Sequence, residues 1–159
     1  MSRAVDRDEF WRARLEDAEK EGSLHLSVYK TDLSDWEYIC EVHKKIADYH
    51  VTGKVLDMGC GYGRLSEWFD DYTGMDSSET FINKAKKLYP GKDFRVGDGQ
   101  TTAFDNKEFD WVICVSLKGM VVRELGEGKW NQIEGELKRV AKKILILEYS
   151  KPFEYEIIE

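Results

Sequence analysis

The residues with the clearest chemical potential are the three glycines of the segment DMGCGYG, which runs from Asp57 to Gly63. Gly59, Gly61 and Gly63 permit tight turns and let a ligand approach the backbone without side-chain obstruction. The segment follows the apolar run KVLDM, which is typical of a short strand, and the helical spacing of the apolar residues after it predicts a helix. The unpaired N–H groups and positive dipole end of such a helix favour a carboxylate or phosphate.

The spacing of the glycines separates two classes of nucleotide-like ligand. The dinucleotide fingerprint G-x-G-x-x-G has its third glycine where Arg64 stands in this chain. The observed pattern is instead G-x-G-x-G after an acidic residue, and a second carboxylate, Asp76, ends the next predicted strand. A carboxylate there can accept hydrogen bonds from both hydroxyls of a ribose. Asp98, just past the third predicted strand, can accept from an exocyclic amine such as that of adenine.

Taken in order, these segments resemble the class I S-adenosylmethionine-dependent methyltransferases over about residues 53–150. VLDMGCGYGRLSEWF is similar to the family's first motif, and YTGMDSSETFINKAKKLYP to its acidic second-strand motif. FRVGDGQTTAFDNKEFDWVICVSL and ELKRVAKKILILEYS resemble the later strand regions. The resemblance implies S-adenosyl-L-methionine as the cofactor and an α/β fold, a doubly wound, mostly parallel Rossmann-like sheet.

The resemblance also implies cofactor-binding residues at the carboxyl ends of the strands. The glycines would line the methionine and ribose part, with Asp57 close to the amino group. Asp76 would hold the ribose and Asp98 the adenine amine. The expected set is Asp57, Gly59, Gly61, Gly63, Asp76, Ser77, Asp98, Gly99 and Ser116. Simpler roles stay open, because Asp76 can cap the next helix, Asp98 can be an ordinary loop carboxylate, and Ser116 can merely end a strand.

The acceptor side of the site has a weaker pattern, and the catalytic residue is not identified. The candidates near the expected cleft are Tyr29, His25, Lys118 and Glu148. His25 and Tyr29 lie in an irregular segment that would fold over the cofactor as a lid, whereas the other two follow the fourth and fifth strands. The alternative for each is an ordinary surface or packing role. No metal site is predicted, because no His, Asp or Glu cluster has evident ligand spacing.

The composition and the absence of certain motifs disfavour some classes of methyl acceptor and binding partner. The net charge of −7 disfavours nucleic acid without excluding it, since binding a phosphate backbone depends on clustered Lys and Arg. The sequence SLKG stands where an amino-methylating DNA enzyme has Asn-Pro-Pro-Tyr, and no Pro-Cys pair is present. The leading hypothesis is methyl transfer to an oxygen or nitrogen of a small or medium-sized acceptor. The alternatives are a non-catalytic cofactor-binding module or subunit of a larger methyltransferase assembly, and a nicotinamide-dependent oxidoreductase.

Alternating strand and helix patterns predict how these residues are positioned. One domain is expected, with a helical N-terminal cap over residues 1–52 and the cofactor-binding core over residues 53–159. Short apolar runs predict strands at residues 54–58, 72–75, 93–96, 109–117 and 144–147. The final segment, KPFEYEIIE, allows one edge strand, so the sheet is expected to be shortened relative to the family. An open edge of this kind makes a homodimer through that side a hypothesis.

Charge and cysteine distribution predict the cellular setting. Charged residues from Arg3 to Glu9 argue against a secretory signal, and the longest stretch without Asp, Glu, Lys or Arg, Gly22–Tyr29, is far too short to span a bilayer. The three cysteines have no CxxC spacing, which is typical of a reducing compartment. We therefore expect a cytoplasmic protein with no membrane partner.

Overall fold

The computed structural model describes residues 7–159. Residues 1–6, which begin the predicted cap and include Arg3 and Asp6, lie outside the described residues. A six-stranded sheet has the order β3-β2-β1-β4-β5-β6, in which β6 runs antiparallel to β5 and all other neighbours are parallel. The strands are β1 Val55–Met58, β2 Tyr72–Asp76, β3 Asp93–Val96, β4 Phe109–Val115, β5 Ala141–Leu147 and β6 Tyr155–Ile158. The predicted α/β fold class and the predicted edge strand are confirmed.

Helices cover both faces of this sheet, as a buried parallel sheet requires. They are α1 Arg7–Lys20, α2 Leu33–His50, α3 Glu79–Leu88, α4 Leu117–Leu125 and α5 Glu127–Val140, with 3₁₀ helices at Leu24–Ser27 and Ser66–Trp68. On one face, Ala47 of α2 and Ile82 of α3 share a core with Val55 of β1. On the other face, Leu137 of α5 packs in a core with Leu56 of the same strand. Alternate residues of β1 therefore face opposite layers, which is the two-residue period of a strand.

The connection after the glycine loop differs from the prediction, because it forms a single 3₁₀ turn and no α-helix. Only residues 64–71 separate the loop from β2. A helix rises about 1.5 Å per residue, so eight helical residues would span only about the length of the strand and leave none for turns. The predicted helix-dipole contribution to ligand binding at this loop is therefore wrong.

The end of β4 also differs from the prediction, which extended this strand to Leu117. The strand ends at Val115, and Ser116 has a left-handed backbone with φ 54°. That conformation interrupts the extended chain and lets α4 begin at Leu117. The segment from Leu117 to Leu125 is therefore a helix beside the carboxyl end of the sheet.

The N-terminal helix α1 is fastened to the start of α3. The Asp8 carboxylate accepts hydrogen bonds from Ser78 Oγ (2.7 Å), the Thr80 backbone N–H (3.2 Å) and Thr80 Oγ1 (3.0 Å). Trp11 packs against Phe81 with ring centroids 5.5 Å apart. The docking places α1 beside the turn that follows β2. None of the helices in residues 7–159 is long and apolar enough to cross a membrane.

Candidate functional site

The glycine loop turns sharply at the carboxyl end of β1. Gly59, Gly61 and Gly63 have φ angles of 77°, 54° and 85°, a region that L side chains rarely adopt. A Cβ at Gly63 would stand 2.6 Å from Phe94, so packing also requires a glycine at that position. A Cβ at Gly61 would have Cγ1 of Val28 as its nearest neighbour, at 3.5 Å. The loop thus presents bare backbone toward the N-terminal segment.

Asp76 links this loop to the beginning of α3. Its Oδ2 accepts from the Gly61 N–H and its Oδ1 from the Ser78 N–H, both at 2.9 Å. Burial raises the pKa of Asp76 above its ordinary value, although these two backbone hydrogen bonds act to lower it. Each carboxylate oxygen has a second lone pair, so the side chain can accept further hydrogen bonds from a diol. The neighbouring Ser77 is exposed.

Asp57 is a buried carboxylate on β1, directly before the glycine loop. It is 2% exposed and accepts a hydrogen bond from the Tyr72 hydroxyl at 2.7 Å. Burial raises its pKa to about 6, against the lowering effects of the Tyr72 hydrogen bond and the Arg64 charge. A buried carboxylate of this kind stabilises a nearby cation, such as an ammonium group.

Arg64 is the residue whose importance the sequence pattern did not reveal, since there it served only to exclude the dinucleotide fingerprint. Its guanidinium carbon lies 5.1 Å from the Trp36 ring, 5.4 Å from Trp68 and 5.5 Å from Tyr149. It donates to Nδ1 of His43 at 3.5 Å. Burial lowers the pKa of His43 to about 4, with a smaller lowering by the Arg64 charge, so the imidazole is neutral near pH 7. These contacts bring α2, the glycine loop and the end of β5 together.

A cavity of about 30 Å³ lies between the glycine loop and Tyr149, the second residue after β5. Its lining includes Asp57, Gly61, Arg64, Val28 and Tyr149. Ligand pockets typically enclose about 300–1,000 Å³, so this cavity is roughly tenfold too small for a nucleoside-containing cofactor. The carboxylates and bare glycine backbone fit the polar groups of S-adenosylmethionine.

The remaining predicted cofactor residues lie after β3 and β4. Asp98 is exposed, and its Oδ1 accepts from the Gln100 N–H at 2.9 Å. Gly99 is partly buried, and an added Cβ would touch Ile133 at 3.4 Å. Ser116 Oγ accepts from the Tyr149 N–H at 3.0 Å. All three follow the carboxyl ends of strands, and their roles toward a cofactor stay predictions.

The four acceptor-side candidates have different surroundings. His25 is buried, donates from Nε2 to the Thr31 carbonyl at 2.9 Å and stacks on Trp36. Tyr29 packs on Tyr149, with ring centroids 5.2 Å apart. The other two are joined to neighbouring elements: Lys118 pairs with Glu156 at 2.7 Å, and Glu148 Oε1 accepts from the Gly119 N–H at 2.9 Å. In the part of the chain from residue 7 onward, no group of three or more His, Cys, Asp or Glu side chains is placed to hold a metal ion.

Comparison with known proteins gives relatives that are named as methyltransferases. A phthiotriol/phenolphthiotriol dimycocerosates methyltransferase of Mycobacterium tuberculosis is 29% identical over 106 residues, covering 61% of this chain and 39% of that protein. A putative methyltransferase 235L of Invertebrate iridescent virus 6 is 24% identical, covering 64% of this chain and 49% of the viral protein. The chain therefore spans less than half the length of these curated relatives.

The fold of the chain is also similar to that of a solved structure. The PH0226 protein of Pyrococcus horikoshii superposes with a TM-score of 0.62 at 28% identity, covering 73% of this chain and 58% of that one. A family model described as a methyltransferase domain matches residues 56–144, which extend from β1 into β5. Since this match spans more than half of the sequence, the chain belongs to the methyltransferase domain family.

Proposed function

We propose that this chain catalyses methyl transfer from S-adenosylmethionine to an oxygen or nitrogen atom of a small or medium-sized acceptor. The observation that carries the proposal is the Asp76 carboxylate, held by the N–H groups of Gly61 and Ser78 at the end of β2. It joins the glycine loop to the α3 start in one rigid arrangement. A diol-binding carboxylate beside bare glycine backbone suits a nucleoside cofactor better than a substrate that binds through side-chain pockets.

The chain's own residues would bind and orient the two reactants. When bound, S-adenosylmethionine supplies a sulfonium-activated methyl group, so the protein's main task is to align the attacking atom with it. Asp76 would accept from the ribose hydroxyls, and Asp57 would face the cofactor's ammonium group. The glycine loop would allow close approach of the backbone. Asp98 and Gly99, after β3, would border the adenine, with Ser77 and Ser116 at the rim.

On the acceptor side, the surroundings favour Glu148 and Tyr29 over Lys118 and His25. Glu148 uses Oε1 for the Gly119 N–H, which leaves Oε2 outside the hydrogen bonds of the described residues and able to take a proton from an attacking hydroxyl or amine. Lys118 is held in an ion pair with Glu156, and the hydrogen bond and stacking of His25 are those of a packing residue. We propose that Tyr29 covers the acceptor from the segment between α1 and α2.

Several features support a small acceptor. The net charge of −7 disfavours a nucleic-acid backbone. The mycobacterial relatives are named for phthiotriol and phenolphthiotriol dimycocerosates, and neither name is that of a protein or a nucleic acid. The present cavity is narrow and closed by aromatic side chains, which suits a compact acceptor enclosed by the N-terminal segment.

The proposal is tested with the purified chain and a methyl-labelled cofactor. Calorimetry should detect binding of S-adenosylmethionine and S-adenosylhomocysteine and no binding of NADH. Label should then move into the low-mass metabolite fraction of a cell extract, and not into its protein or nucleic-acid fractions. Glu148→Gln should lower the transfer rate by about 100-fold, the usual contribution of a positioned general base, with cofactor affinity unchanged.

The matched control for that variant is Glu154→Gln, which changes an exposed carboxylate whose one ion pair among residues 7–159 is with Lys151. It should leave the transfer rate unchanged. Absence of S-adenosylhomocysteine binding would refute the proposal. Cofactor binding without transfer to any fraction would refute its catalytic part.

A further inference from the structure

Arg64 is a partly buried cation for which residues 7–159 provide no carboxylate within ion-pair distance. Its hydrogen-bond partners in the described residues are neutral: Nδ1 of His43 at 3.5 Å and Sγ of Cys40 at 3.6 Å. The contact to His43 is longer than a typical hydrogen bond, and a thiol sulfur is a weak acceptor. Three aromatic rings stabilise the charge from their faces without accepting in-plane hydrogen bonds. In the described residues this guanidinium therefore has weak, neutral acceptors and no charged one.

The location of this cation gives its donors a use. Arg64 lines the cavity beside the glycine loop, and Asp57, which lines the same cavity, provides a buried carboxylate. One wall of the cavity therefore favours a cation and another favours an anion. An α-amino-acid group carries both charges on adjacent atoms. Planar guanidinium matches a carboxylate in a two-pronged arrangement, which a lysine cannot reproduce.

We propose that Arg64 is the anchor of a carboxylate-binding subsite in this cavity, an inference that rests on the proposed function of the site. The carboxylate has two possible sources, the amino-acid end of the cofactor and an acidic acceptor. In either case a bound carboxylate replaces the long contacts of Arg64 with short charged hydrogen bonds. The aromatic rings hold the guanidinium in place beforehand, so little side-chain freedom is lost on binding.

The experiment compares S-adenosylmethionine with decarboxylated S-adenosylmethionine, which lacks only the carboxylate. Both are titrated by calorimetry into the wild type, Arg64→Met and Arg64→Lys. If the cofactor is the source, Arg64→Met should bind S-adenosylmethionine at least about tenfold more weakly and the decarboxylated form almost unchanged, since one charged hydrogen-bond pair is lost. The affinity of Arg64→Lys for S-adenosylmethionine should lie between those of the wild type and Arg64→Met, because lysine keeps the charge and loses the two-pronged hydrogen-bond geometry.

A second arm covers an acidic acceptor as the source. Sulfate is added to the S-adenosylhomocysteine-loaded protein, and the unfolding temperature is compared between the wild type and Arg64→Met. An acceptor subsite predicts a sulfate-dependent increase in the wild type only, whereas general salt stabilisation raises both. Lys44→Met is the matched control, because Lys44 lies 5.9 Å from the same Trp68 ring on the exposed surface and pairs with Asp48. It should behave as the wild type in both arms.

Loss of folding in Arg64→Met would not end the test, because the wild type can be followed directly by NMR. The Arg64 Nε–Hε resonance should shift on addition of S-adenosylmethionine and not of the decarboxylated form, or should shift with sulfate on the loaded protein. The inference is overturned if Arg64 substitutions weaken S-adenosylmethionine and decarboxylated S-adenosylmethionine equally or not at all, and if sulfate stabilises the wild type and Arg64→Met to the same extent. Arg64 would then be only a packing residue between α2 and the glycine loop. Failure of the wild type to bind any adenosyl ligand would instead refute the proposed function, and the sulfate arm on the free protein would still test the anion site.

Discussion

Replacing Asp76 by Asn tests the central assignment of the site with little change in shape. The carboxylate accepts two backbone N–H groups at 2.9 Å, one on each oxygen. Asn has a single acceptor oxygen, so its amide would face either the Gly61 or the Ser78 N–H and leave that donor without a partner. A hydrogen bond to a charged group contributes about 1.5–3 kcal/mol to stability. Part of this loss is offset, because burial disfavours the charged form and raises the pKa of Asp76.

The effect on cofactor binding is expected to exceed the effect on folding. The offset lowers this range, so we expect a decrease of about 1–2 kcal/mol in the free energy of unfolding. In the bound state the variant also loses charged acceptors for the ribose hydroxyls, with no compensating relief. One lost charged hydrogen bond corresponds to roughly a 10–100-fold weaker Kd. Asp76→Asn should therefore remain folded at 25 °C and bind S-adenosylhomocysteine at least about tenfold more weakly.

Calorimetric titration with S-adenosylhomocysteine at pH 7.5 measures the binding change, and urea denaturation measures the stability change. Asp71→Asn is the matched control, because Asp71 is an exposed carboxylate just before β2 whose backbone carbonyl, and not its side chain, pairs with Val55. It should alter neither quantity. A folded Asp76→Asn protein with the wild-type Kd would refute the assignment of Asp76 to the cofactor ribose.

Three further changes probe the surroundings of the site. Because burial raises the pKa of Asp57 to about 6, the folded state binds its proton more tightly than the unfolded state, so the free energy of unfolding should fall by at most roughly 3 kcal/mol as pH rises from 4 to above 6. Urea denaturation across this range should show a smaller pH dependence of stability for Asp57→Asn, and the same pH dependence in both proteins would contradict the reasoning. Gly63→Ala should destabilise the fold by about 2 kcal/mol or more, since it combines a φ of 85° with a 2.6 Å approach to Phe94, whereas Gly128→Ala in α5, with open space around it, should be neutral or stabilising. Asp8→Ala should increase hydrogen exchange throughout α1 and leave the sheet protected, and equal exchange in the variant and the wild type would show that α1 is held by other contacts.

The sheet could be predicted from local patterns because its strands are short apolar runs that end at turn-forming residues such as glycine. The run before Gly59 and the run ILIL in β5 become fully buried strands, and residues of β1 alternate between the two cores. A helix after β2 was also predicted, but its cap differs from the expected one. Ser78 caps α3 by accepting from the Phe81 N–H, whereas Asp76 holds the Ser78 N–H. These features depend on neighbouring residues, which a single sequence contains in full.

The missed features depend on distance and on contacts between remote segments. No local pattern shows that residues 64–71 are too few for a helix between two parallel strands; the length of the return path decides it. The start of α4 depends on the left-handed backbone of Ser116, an unusual conformation for a serine. The surroundings of Arg64 combine Trp36, Trp68 and Tyr149, which are separated by up to 113 positions, and sequence spacing alone cannot bring them together.

The glycine loop and α1 are linked through the turn after β2. Asp76 binds the Ser78 N–H, and Ser78 Oγ in turn donates to Asp8 on α1. The segment that follows α1 carries Val28, whose side chain faces Gly61 across the cavity. Asp8 therefore contacts the same turn that Asp76 holds, and Trp11 of α1 packs on Phe81 close to that turn. Because the attachment of α1 combines polar and aromatic contacts, Asp8→Ala removes only its polar part.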